Sequence, residues 1–124
     1  WRNREHYFAA AAETMRRILV DRARAKAAQK RGGELTRVDF EEAHLAIASR
    51  PETLCAIDDA IEAFALVAPD KAELVKLRYF VGMTNAEAAR ALNVSEVTVK
   101  RYWTFARSWL FQWLTENKVN PSHD

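Results

Sequence analysis

A chain of 124 residues, 49% hydrophobic and 29% charged, is long enough for one compact domain or for two small helical units joined by a linker. Only three glycines and three prolines interrupt it, and no segment alternates apolar and polar residues for long, so an all-α fold is predicted. The single cysteine, Cys55, excludes an internal disulfide framework and suits a small core position in a reducing compartment. No apolar run approaches the roughly 20 residues of a membrane span and no signal peptide pattern opens the chain, so membrane insertion is not expected and a cytoplasmic location is.

A net charge of +2 conceals an uneven layout. Residues 1–31 carry +6, residues 32–70 carry −7 and residues 71–124 carry +3. Two basic blocks around an acidic one suit a protein that touches a polyanion at two separated places, although solvated helix faces give the same pattern.

The chain opens at Trp1, without an initiator methionine, straight into a helical pattern, which suggests a piece of something longer. From about Arg4 to Lys30 neither glycine nor proline occurs. Tyr7, Phe8, Ala11, Met15, Ile18, Leu19 and Ala23 recur at the spacing of one helix face, with Arg16, Arg17, Arg22 and Arg24 mostly off it. Apolar surface left uncovered on this helix would drive self-association. Gly32-Gly33 ends it, and an acidic, partly helical linker follows over residues 34–50, with a short helix predicted from Asp39 to Ala48.

Pro51 suits the first turn of the next helix, with Ser49 as a candidate cap. In that helix Leu54, Ile57, Ile61 and Phe64 form an apolar stripe opposite Glu52, Asp58, Asp59 and Glu62. Another helix is predicted from Asp70 to Val81, with Gly82 as its stop. Thr84-Asn85-Ala86-Glu87 is a capping box, and the helix it opens carries Ala86, Ala88, Ala89 and Leu92, small enough for a second helix to cross closely. Asn93-Val94-Ser95 then makes a three-residue turn. Asn93 can take the left-handed conformation, Val94 plugs the gap, and Ser95 caps the long last helix.

In that last helix Val99, Trp103, Ala106, Leu110 and Trp113 form the buried face, leaving Thr98, Lys100, Arg101, Thr104 and Arg107 on the others. Lysine and arginine can donate to guanine edges or phosphate, and threonine can bond to a base or touch a thymine methyl. A helix hairpin with a basic solvent face is the plainer alternative. Against it stand three coincident features: the capping box, the small-residue first helix and the apolar plug before a capped second helix.

The run Leu77-Arg78-Tyr79-Phe80-Val81-Gly82-Met83-Thr84, then Glu87-Ala88-Ala89, Leu92-Asn93-Val94-Ser95-Glu96-Val97-Thr98-Val99-Lys100 and Ala106-Arg107, resembles region 4 of the sigma-70 family, especially its extracytoplasmic-function (ECF) group. The similarity covers about residues 51–115. It implies a four-helix unit over residues 51–118 that reads the −35 promoter element as duplex, with Ser95, Thr98, Lys100, Arg101 and Thr104 in base and phosphate contacts. Residues 1–33, with Arg4, Phe8, Met15-Arg16-Arg17, Leu19-Val20-Asp21 and Lys30-Arg31-Gly32, resemble the second half of sigma region 2, which reads and helps open the −10 element. On that resemblance Arg16, Arg17, Arg22 and Arg24 offer phosphate contacts, and Trp1, Tyr7 and Phe8 are either base-stacking or core residues, with core favoured for Phe8. Many family members carry an asparagine near Arg17 as a base reader, and with arginine there a phosphate contact is expected in preference to base reading. The resemblance begins at the second half of region 2, and in the family it is the front half that grips the polymerase. The implied partners are promoter DNA, RNA polymerase core and an anti-sigma factor, and residues 119–124 form a frayed tail.

Enzymatic function is not expected. His6, His44 and His123 are scattered, neither metal-ligand spacing nor a glycine-rich phosphate loop occurs, and no cofactor is implied. Two alternatives remain: a dimeric helix-turn-helix regulator that is not a sigma factor, and a helical protein-interaction module.

Overall fold

The computed structural model describes residues 3–29 and 45–118. Trp1, the acidic linker up to His44 and the tail from Val119 lie outside the described residues, and with them most of the helix predicted from Asp39. What is described of that helix is a 3-10 turn over Ala46–Ala48.

Uninterrupted helix formers give α1 (Asn3–Gln29), 27 residues long. Most of the stripe that its spacing suggested faces inward, but two of its members do not. Tyr7 is 66% exposed and Ile18 is exposed, whereas Ala12, Val20 and Ala23 are buried and Phe8, Met15 and Leu19 pack partly beneath. With alanine at positions 9–12, several faces of α1 are nearly equally apolar, and the helices packed against it select one. Phe8 does pack against the core, as expected.

Pro51 opens α2 (Pro51–Val67) at its first turn, where the missing N–H would have had no partner. Arg50 rather than Ser49 occupies the cap position and makes no side-chain cap bond. The Ser49 hydroxyl donates to Leu45 O at 2.9 Å and shares a 2.9 Å hydrogen bond with the Tyr79 hydroxyl. Ala68 breaks the chain between α2 and α3 (Pro69–Lys76). The continuation predicted to Val81 is a π-helical turn over Leu77–Val81, closed by Gly82 at φ 87° and by Met83 N–H donating to Leu77 O at 3.2 Å. The wider turn buries Leu77, Tyr79 and Phe80 together, and burial drives the Tyr79 hydroxyl well above its usual range.

α4 (Asn85–Leu92) and α5 (Glu96–Lys118) complete the fold, and no strand occurs among the described residues. The main core joins Val20 and Ala23 of α1, Ile57, Ile61 and Phe64 of α2, Val75 of α3, Tyr79 and Phe80, and Ala106, Leu110 and Leu114 of α5. α1 therefore shares a core with the C-terminal helices. Among the described residues no helix is long and apolar enough to cross a membrane. Cys55 is only half-buried, and burial pushes its thiol up, away from the reactive thiolate.

Candidate nucleic-acid interface

The local chemistry that starts and stops α4 fixes where α5 begins. Thr84 Oγ1 accepts from Glu87 N–H at 3.1 Å while Glu87 Oε1 accepts from Thr84 N–H at 2.9 Å, which satisfies two otherwise unpaired donors reciprocally. At the other end Asn93 sits at φ 60°, ψ 47°. Its N–H donates to Arg90 O at 3.3 Å, and Val94 N–H donates to Ala89 O at 3.0 Å, a Schellman closure. The chain turns at once into α5, whose first free N–H groups are served by Ser95 Oγ accepting from Thr98 N–H at 3.0 Å.

A small core of Leu74, Ala88, Ala89 and Val99, with Leu92, Val94, Tyr102 and Trp103 against it, sets the crossing of α4 and α5. The alanines let the two backbones approach, and Val94 fills the corner as predicted. Arg78 braces the same junction. Its guanidinium donates to Asn85 Oδ1 at the start of α4 and lies 4.8 Å from the centre of the Trp103 ring of α5. Lys71 of α3 stands over the Tyr102 and Phe105 rings at 4.8 and 5.3 Å. The α4 and α5 pair is thus tied to α3 and the π-helical turn by two cations resting on aromatic faces.

With Val99 and Ala106 buried and Trp103 packed inward, the opposite face of α5 is turned out. Ser95, Lys100, Arg101 and Thr104 are exposed and Thr98 is half-exposed, so the five residues predicted for this face lie together on the first turns of one helix. Their hydrogen-bonding capacity differs. The Ser95 hydroxyl, besides its capping bond, donates to Thr98 Oγ1 at 3.0 Å, and the Thr104 hydroxyl donates to Lys100 O at 3.0 Å. The free donors of the face are therefore chiefly the Lys100 and Arg101 head groups, suited to phosphate oxygens and guanine edges. Val97, 64% exposed, and Phe105 share this face and were not singled out from the sequence. Neither carries a polar group that would mark it, although residues 97, 100, 101, 104 and 105 follow the three-and-four spacing of one helix side. A shallow hollow lies among Val97, Lys100, Arg101, Thr104, Phe105 and Ser108.

The α1 arginines divide into two groups. Arg17 and Arg22 are exposed, with Arg17 Nη2 3.9 Å from Glu13 Oε2. Arg16 is 19% exposed, and its guanidinium lies 2.9 Å from Glu62 Oε2, 3.4 Å from Asp58 Oδ1 and 3.6 Å from Glu13 Oε1. Arg24 Nη2 stands 3.8 Å from Asp58 Oδ2 and 4.0 Å from Asp59 Oδ1. Asp58, expected on the solvent side of α2, is fully buried because α1 lies over it. Neither of its oxygens has a hydrogen-bond partner, and burial pushes its carboxyl up to about 6 in spite of Arg16.

Among the described residues no group of histidine, cysteine or carboxylate side chains is placed to hold a metal ion. The family model described as "ECF sigma factor" matches residues 1–116 of the chain. No curated protein and no solved structure matches it.

Proposed function

The chain belongs to the ECF sigma factor family, whose members direct RNA polymerase to promoters, and we propose that α4 and α5 read the −35 element of those promoters as duplex DNA. The observation carrying this reading is the pairing of Lys100 and Arg101 on the open face of α5, just past a capped N-terminus, while the other face is locked against α4. A helix held in this way presents its first turns to the major groove. There Arg101 donates to a guanine edge, Lys100 to a phosphate or a guanine, and the α5 N-terminus favours a phosphate.

In this proposal residues 51–118 form the −35 unit and residues 1–33 the −10 unit, joined by the acidic stretch 34–50. Arg17 and Arg22 contact −10 phosphates directly from the exposed side of α1. Arg16 and Arg24 do so by exchanging the carboxylates of Asp58, Asp59 and Glu62 for phosphate oxygens, so that DNA binding by these two residues accompanies a loosening of α1 from α2. RNA polymerase core is the partner that brings both units to the promoter.

The test is binding of the full-length protein, with and without RNA polymerase core, to promoter and scrambled duplexes over a salt series. Promoter-specific binding that depends on core is expected. Lys100→Ala and Arg101→Ala should each weaken it by about 1–3 kcal/mol where the contact is to a base, or reduce the salt slope by about 1 where it is to a phosphate. Unchanged affinity and slope in both variants would move the reading surface elsewhere, and no gain of promoter specificity with core would overturn the proposal.

A further inference from the structure

We propose that the hollow on α5 bounded by Val97, Thr104 and Phe105 is a subsite for the 5-methyl group of a thymine in the major groove. The inference rests on the reading of α5 as the DNA-contacting helix and adds to it what that helix discriminates. Val97 is 64% exposed and lies on the first turn of α5, one helical turn before Lys100 and Arg101. The Thr104 hydroxyl is committed to Lys100 O at 3.0 Å, so what Thr104 adds to the hollow is carbon rather than a donor. The Phe105 ring is 47% exposed and is steadied by Lys71 at 5.3 Å.

An apolar patch flanked by Lys100 and Arg101 suits an apolar group carried by a polyanion. In the major groove the thymine 5-methyl group is the apolar feature of an unmodified base pair. A cytosine amino group placed there would lose water and meet only the donors of Lys100 and Arg101, which cannot accept from it. Uracil carries no methyl group, and the major groove of an RNA duplex does not admit side chains, so the occupant is DNA rather than RNA.

The full-length protein and its Val97→Ala variant, each assembled with RNA polymerase core, would select ligands from a pool of random-sequence DNA duplexes at low salt. Val97 is exposed, and alanine favours helix, so the variant is expected to fold as the parent does. Duplexes selected by the parent should contain a thymine whose replacement by deoxyuridine lowers affinity about 4-fold, the factor expected for burying one methyl group. The same replacement should leave the affinity of Val97→Ala unchanged, and Val97→Ile should retain the dependence. An equal loss in Val97→Ala, or no deoxyuridine-sensitive position in the parent's ligands, would overturn the subsite while leaving the DNA-reading role of α5 intact. Failure of the parent to enrich any sequence would overturn that role and the subsite with it.

Discussion

Replacing Asp58 by asparagine should make the protein more stable at neutral pH and leave it unchanged in acid. The Asp58 carboxyl is 0% exposed, neither oxygen is hydrogen-bonded, and burial raises it from 3.8 to about 6. Between those two values the folded protein holds a proton that the unfolded chain has released, so stability falls as pH rises through the window. Above about pH 6 the folded state carries an ionised carboxylate it would be better without. A shift of about 2 pKa units corresponds to about 3 kcal/mol, which bounds the gain from above. The substitution does not strand Arg16, because Glu62 remains 2.9 Å and Glu13 3.6 Å from its guanidinium. The new amide has few partners, so a gain of about 1–3 kcal/mol is expected at pH 8, shrinking to none near pH 4. Urea unfolding of both proteins followed by far-ultraviolet circular dichroism from pH 4 to pH 8 measures it. A variant less stable than the parent at pH 8, or a gap that stays constant with pH, would mean that the arginines outweigh burial and would refute the argument.

Thr84→Ala removes the acceptor for Glu87 N–H and half of the capping box, and urea unfolding should show a loss of about 1 kcal/mol. At Asn93, φ 60° makes valine costly by about 1–2 kcal/mol while glycine should fold nearly as well as the parent. Equal losses for the two Asn93 variants would assign its importance to the amide side chain instead of the backbone. Tyr79→Phe deletes the hydrogen bond to Ser49 inside the π-helical turn, and thermal unfolding should report a loss of about 0.5–1.5 kcal/mol.

The α4–turn–α5 segment was legible in the sequence nearly residue by residue. The Thr84–Glu87 box, the left-handed Asn93, the plug at Val94, the cap at Ser95 and the inward Val99 and Ala106 all stand as their spacing predicts. These features rest on bonds between residues three to five apart, which the chain specifies before any tertiary contact forms. The basic face of α5 follows, since a fixed helix start and a fixed buried side leave one side for Lys100, Arg101 and Thr104.

Contacts between distant segments were not legible. Spacing alone placed Tyr7 and Ile18 on the buried side of α1 and Asp58 on the solvent side of α2, and both assignments reversed once α1 was laid across α2. A helix rich in alanine has no single apolar face strong enough to fix its own rotation, so its partners choose it. The Ser49–Tyr79 hydrogen bond belongs to the same class, because the two residues lie 30 apart in the chain. The sequence by itself therefore determined the ends of α4, the start of α5 and the open basic face of α5. Only the tertiary structure decided that Arg16 and Arg24 face carboxylates, that Asp58 is buried, and that Val97 and Phe105 flank a hollow, because burial and charge pairing depend on which helix covers which.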